Sequence, residues 1–319
     1  MKAVVFDGEL KFDENYMEPE RKENEALIKP LLLGVCNTDE EITKGYMDYN
    51  GVLGHEFVGV VVDSDDKSLI NKRVVGEINL GCNNCPECSN NLQRHCKQRS
   101  TFGIYKKDGC FSELFTLPNS NLLVVPDNVD DETAVFVEPL AAAYEIFEQI
   151  QIKPKDKVAI LGDGKLGLCI STIFSALNVD YTHIGKHLEK LEITKNLGGK
   201  IKLLSDIKNE DLKTYDIVVE ATGSVGGFET SLSLVKPRGI LVLKSTIAAK
   251  EGLNLASVVI DEITVLGSRC GQFEPVLRLM EKNRINTKPL ISKILPFSEA
   301  IKAFELNRQK DTIKILLKV

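Results

Sequence analysis

Four cysteines crowd one short stretch, Cys82, Cys85 and Cys88 at three-residue intervals and then Cys96. Thiolates are soft donors, and four of them on a compact loop close a tetrahedral zinc site with no position left for water or substrate. Such a site holds structure, because its ligand energy becomes folding energy for a lobe, about residues 80–100, with few apolar side chains of its own. A redox pair or an accidental cluster is the alternative reading of the same residues. A second set is dispersed: Cys36-Asn37-Thr38-Asp39, then Gly54-His55-Glu56, then Glu138-Pro139. Each fragment alone reads as a small buried hydrophobe or a satisfied polar pair. Together they offer a thiolate, an imidazole and a carboxylate, the three-donor set that keeps a fourth position of a catalytic zinc open. A third set is Gly162-Asp163-Gly164-Lys165-Leu166-Gly167, directly after the apolar run KVAIL and opening a helical pattern. In that context the first Gly permits a tight turn, the second lets a pyrophosphate approach the backbone, and the third packs helix on strand. A plain strand-to-helix turn is the alternative.

The elements that must position these groups fall into two textures. Residues 1–138 read as short β segments broken by turn residues: MKAVVF, EALIKPLLLGV, FVGVVVDSDD, RVVGEINL and ELFTLP. From about 139 the pattern becomes strand, Gly turn and amphipathic helix in alternation: KVAIL, GDGKLGLCISTIFSAL, VDYTHI, HLEKLEITKNLG, YDIVVEATG, GGFETSLSLV, GILVLKST and ITVLGSR. Alternating β and α means a parallel sheet. The remaining segments, EPVLRLMEKN, ISKILPF, SEAIKAFEL and IKILLKV, are expected to return to the first domain. The expected organisation is therefore 1–138 and 271–319 as a β-rich catalytic part, with 139–270 as a dinucleotide-binding part.

A chain of 319 residues, 43% apolar, is long enough for two such cores, and its composition excludes disordered and fibrous classes. A net charge of -6 offers no basic face for phosphate backbones or anionic lipid, so nucleic acid and membrane are not expected partners. The opening Met-Lys-Ala-Val-Val-Phe reaches Asp7 too soon for a signal segment, and no stretch approaches a membrane span. A cytoplasmic location is expected, where cysteines stay reduced and available to metal.

These motifs, in this order and at these separations, make the chain resemble the zinc-dependent medium-chain dehydrogenase/reductase family over essentially its whole length. Glu138-Pro139-Leu140 at the domain junction, Val-Glu-Ala-Thr-Gly at 219–223 and Gly-Ser-Arg at 267–269 belong to the same likeness. The resemblance implies a GroES-like β domain split in sequence around a Rossmann domain, two zinc ions per chain, and NAD(P)-dependent oxidation of an alcohol or the reverse reduction. It implies Cys36, His55 and Glu138 as catalytic zinc ligands and Thr38 as the hydroxyl that accepts the substrate proton. Asp39 becomes the carboxylate behind the ligand histidine, and Glu56 either a further acid beside the metal or an alternating ligand. Gly162, Gly164, Lys165, Leu166, Gly167 and Thr222 fall on the cofactor. Two positions depart from simple alcohol dehydrogenases: Glu138 stands where many have Cys, and Glu41 where many have a relay His. The first resembles the polyol, sugar and threonine dehydrogenase branches, so a small polar alcohol such as a polyol, sugar or amino-alcohol is the expected substrate. A reductase of small aldehydes or ketones, and a catalytically silent zinc and nucleotide binder, are the alternatives. By the same likeness the ITVLGSR strand lies at a sheet edge and pairs with its copy in a homodimer or homotetramer.

An NAD site usually carries an acid about 20 residues past the Gly-rich turn, at the end of the second strand. Here VDYTHI runs into Gly185-Lys186-His187 instead. Gly185 leaves room, and Lys186 and His187 offer donors to a 2′-phosphate, so the expectation is NADP in preference to NAD.

Overall fold

The structure, a computed structural model, describes residues 1–246 and 255–319. Contacts divide the chain into one unit of Met1–Glu138 with Phe273–Val319 and a second of Pro139–Gln272.

The first unit is built on antiparallel pairing. Its largest sheet runs Leu122–Val124, Arg73–Gly76, Glu56–Ser64, Glu25–Gly34, Lys314–Lys318, Ile291–Pro296, and Phe115–Pro118 also pairs with Glu25–Gly34. The Glu25–Gly34 strand alternates half-exposed and buried residues before ending fully buried, as a strand with one face on a core does. The tail returns here: Leu316 pairs with Gly34, antiparallel, while Ile291–Pro296 pairs parallel to Lys314–Lys318. A small sheet of Asn79–Leu80, Ser100–Phe102 and Lys106–Lys107 flanks the cysteine lobe. Phe57, Phe102 and Phe115 meet edge-to-face or tilted, with centroids 4.8–5.9 Å apart, in the core beside it.

The second unit is a six-stranded, wholly parallel sheet in the order Lys200–Leu203, Tyr181–Gly185, Val158–Leu161, Tyr215–Glu220, Val235–Leu243, Thr264–Gly267. In sequence order that is 3-2-1-4-5-6, the doubly wound arrangement that binds dinucleotides where the order reverses. All four residues of Val158–Leu161 are buried, as expected for a central strand covered on both faces. Ala159, Leu161, Ile184, Val218, Phe228, Leu232 and Leu241 form one continuous cluster between sheet and helix. No helix among the described residues is long and apolar enough to cross a membrane.

Candidate active site

In the first unit, Cys36 is the N-cap of the short helix Asn37–Ile42, and Asp39 locks the turn by accepting the Cys36 N–H at 2.9 Å. The same helix is pinned from the distant tail, where the buried Glu40 accepts from Asn307 Nδ2 and Arg308 Nε, each at 2.9 Å. His55 directly precedes the strand Glu56–Ser64 and is 3% exposed. Together these elements bring one ligand atom each of Cys36, His55 and Glu56 within 4.8 Å of one another.

The second oxygen of Asp39 lies 3.2 Å from His55 Nδ1, and neither of these two buried atoms has a hydrogen bond elsewhere among the described residues. A carboxylate behind Nδ1 fixes the tautomer that turns Nε2 toward a metal. Burial opposes charge on His55, but the neighbouring Asp39 and Cys36 override it and hold its pKa well above the usual histidine range. Thiolate, imidazole and carboxylate suit zinc.

Glu56 is 1% exposed and is held by a lysine that the sequence did not flag: Lys314 Nζ donates to Glu56 Oε1 at 2.7 Å and Oε2 at 2.5 Å. Gly34, the register partner of Glu56, makes the space, because a Cβ there would collide with the Glu56 carboxylate. Thr38 Oγ1 lies 3.7 Å from Cys36 Sγ and is half-buried. Glu138, in the first turn of the Val137–Gln149 helix, is half-buried and is not in the Cys36–His55–Glu56 group. Glu41 is exposed and pairs with Lys44 at 2.8 Å, as a solvated surface residue does.

The four thiols of Cys82, Cys85, Cys88 and Cys96 also lie within 4.8 Å of one another. Cys85 caps the one-turn helix Pro86–Ser89, and the next turn, Gln93–His95, ends at Cys96. Gly81 leaves room for this convergence, since a Cβ there would stand 2.6 Å from Cys88 Sγ. The backbone N–H of Cys82 is foremost among the groups that draw the Cys96 thiol down to about 7. Four sulfur donors within reach of one another fit a closed zinc site.

In the second unit, Gly162 has φ +117°, a conformation that L side chains resist, and Gly167 is so close to Gly162 that a Cβ would strike its carbonyl. Gly164 is different. It caps Lys165–Ala176 with φ -77°, and a Cβ there would touch nothing within 4 Å. Neither backbone strain nor protein packing requires glycine at that position, whereas close approach of a ligand to the helix N-terminus does, which fits a pyrophosphate. Lys165 and Leu166 open that helix and are half-buried.

Several partners here were invisible in the sequence. His183 is buried, with Nε2 2.9 Å from the Gly162 carbonyl and Nδ1 2.7 Å from Thr194 Oγ1. Only Nε2–H can serve that carbonyl, and burial lowers the His183 pKa, so the ring is neutral and braces the Gly-rich turn. The N–H and hydroxyl of Thr222 both donate to buried Glu220 Oε1, at 2.6 Å each. At the end of Tyr181–Gly185, where Gly185, Lys186 and His187 are expected to offer room and donors to a 2′-phosphate, two backbone donors are already engaged. Asp163 Oδ2 accepts both the Lys186 and the His187 N–H at 2.6 Å, and its carboxylate lies 3.1–3.2 Å from His187 Nδ1.

A GroES-like unit split around a doubly wound parallel sheet, with a cysteine-histidine-carboxylate group in one part and a glycine cradle in the other, defines the two-part dehydrogenase class. Comparisons agree. Residues 22–127 match the alcohol dehydrogenase GroES-like domain. The chain is 26% identical over 322 residues to sorbitol dehydrogenase of Halalkalibacterium halodurans, covering 94% of this chain and 93% of that one. It is 28% identical over 323 residues to D-arabitol-phosphate dehydrogenase of Enterococcus avium, covering 94% and 91%. Among solved structures, alcohol dehydrogenase TADH from Thermus sp. ATN1 superposes with a TM-score of 0.90 at 27% identity, over 100% of both chains. The chain thus carries an alcohol dehydrogenase GroES-like domain over residues 22–127 and is similar along nearly its whole length to alcohol and polyol dehydrogenases.

Proposed function

We propose that the protein transfers a hydride between a small polar secondary alcohol (a polyol, sugar or amino-alcohol) and a nicotinamide dinucleotide. The observation that carries this reading is the convergence of Cys36, His55 and Glu56, with Asp39 behind His55 Nδ1. The polyol dehydrogenases among its relatives support the substrate class.

Cys36 and His55 would hold the catalytic zinc with Glu138 as the carboxylate donor that the resemblance implies, and Glu56, whose two oxygens accept from Lys314, would stand beside them. The ion when bound supplies Lewis acidity toward an alcohol or carbonyl oxygen. Thr38, half-buried beside Cys36 in the helix Asn37–Ile42, would accept the substrate hydroxyl proton as its own hydroxyl proton leaves to water. Asp39 holds His55 in the ligating tautomer. Glu56 is fixed in its ion pair with Lys314. Cys82, Cys85, Cys88 and Cys96 would hold a second, structural ion. Glu41 has no part in this reading, since its surface pairing with Lys44 leaves it out of the group.

A cytoplasmic enzyme acting as a homodimer or homotetramer completes the proposal. The edge strand Thr264–Gly267 carries Val265 at 39% exposure, and the preceding helix presents Val259 and Ile260 at 77% each. Light scattering that found only monomer would remove the oligomer. The central test is metal analysis with turnover on polyols, aldoses, L-threonine and simple alcohols, in both directions and with both cofactors. About two zinc ions per chain and activity on polar alcohols are expected. Glu138→Ala should remain folded while losing one ion and most turnover. Full metal and wild-type turnover in that variant would refute the ligand assignment.

A further inference from the structure

At the end of the second strand, a carboxylate reaches the ribose position from the wrong side of the turn. Position 185, where an NAD site usually carries its acid, is glycine. A Cβ built there would lie 2.5–2.7 Å from the carboxylate and Cβ of Asp163, so Asp163 fills the volume in which a side chain at 185 would begin. Asp163 comes instead from the second position of the Gly-rich turn, 23 residues earlier than Lys186.

We propose that Asp163 is the residue that selects NAD over NADP, reading the adenosine ribose from the Gly-rich turn in place of an acid at 185. This rests on the dinucleotide site described above. Two features of the geometry carry it. First, the backbone N–H groups of Lys186 and His187, which would otherwise receive a 2′-phosphate, are both taken by Asp163 Oδ2. Second, among the described residues Asp163 Oδ1 faces only His187 Nδ1, at 3.2 Å, which leaves acceptor capacity for a ribose hydroxyl. Burial alone would raise the Asp163 pKa, but the His187 N–H and ring and the Lys186 N–H lower it overall, so the group is an anion at neutral pH. An anion only 8% exposed is poorly screened, and a phosphate placed against it would pay both repulsion and the loss of its own hydration. Lys186, a neighbouring cation, is exposed and therefore screened.

The test is fluorescence titration of the zinc-loaded enzyme with NADH and NADPH, on wild type, Asp163→Asn and Asp163→Ser. Both replacements keep an oxygen that can cap the turn and remove the charge; circular dichroism identifies which of them is folded. Wild type should bind NADH at least about tenfold more tightly than NADPH, and either variant should shrink that ratio by about tenfold, mainly by tightening NADPH. A wild-type preference for NADPH, or no preference, overturns the proposal. So does a parallel weakening of both dinucleotides in the variants, which is what a purely structural cap would produce. Failure of wild type to bind either dinucleotide would instead overturn the cofactor reading on which the proposal stands.

Discussion

Replacing Lys314 by Met is the sharpest test of how the candidate metal site is supported. Lys314 is 4% exposed; besides the two oxygens of Glu56 its ammonium reaches the Val35 carbonyl at 3.3 Å and stands 5.9 Å over the Phe136 ring. Opposite charges about 3 Å apart attract by roughly 5 kcal/mol at an effective dielectric of 20. Most of that attraction offsets the desolvation of both ions, so the pair adds little net stability over a well-packed apolar replacement. Breaking it is another matter. With Met at 314 the Glu56 carboxylate stays buried with no counter-ion, at a cost of about 3–5 kcal/mol. At about 2.1 cal/mol/K of unfolding entropy per residue, that corresponds to a fall in Tm of roughly 4–8 °C for a chain of 319 residues. The assay is denaturant unfolding with the catalytic-site ion chelated, followed by far-UV circular dichroism and run as a cycle with Glu56→Gln and the double variant. The double variant should recover most of the loss, because neither side then leaves a charge stranded. A loss below about 1 kcal/mol in Lys314→Met, or strict additivity in the cycle, would refute the reasoning.

Two further outcomes follow from the other sites. Cys88→Ser should fold poorly and retain about one zinc less per chain, since a closed four-thiolate site stabilises the lobe only when complete; wild-type solubility with full metal would contradict it. His183 has a folded pKa below its unfolded value, so the unfolded chain binds the proton more tightly. Its contribution to stability is present above about pH 6.5 and is lost as pH falls through the lower folded value. Urea unfolding between pH 7.5 and 5 should therefore show a steeper decline in wild type than in His183→Gln, and equal slopes would argue against a neutral buried ring.

Much of the molecule was legible in one dimension because its signals are local. The spacing of Cys82, Cys85, Cys88 and Cys96 limits where four thiols can go, and short turns bring them together with little help from the rest of the chain. The run KVAIL followed by three spaced glycines specifies a strand, a turn and a helix through backbone sterics alone, and the alternation of β and α beyond it implied a parallel sheet. Where local signal was weak, the reading missed. The edge strand Lys200–Leu203, with the sequence KIKL and no fully buried residue, has no apolar run to mark it and was not recognised.

The partners of the buried charges belonged to tertiary structure alone. Glu56 finds Lys314 258 positions away, because the final strand lies beside Glu25–Gly34 and Gly34 lacks a side chain. Glu40 finds Asn307 and Arg308 by the same return of the tail. Asp163 stood in plain view inside the glycine motif, yet only the parallel pairing of Val158–Leu161 with Tyr181–Gly185 carries it to the backbone of Lys186 and His187. A sequence determines which residues are able to fold locally and which donors it contains. Which charge meets which is decided by packing, because a buried ion is tolerated only where the completed fold delivers its partner.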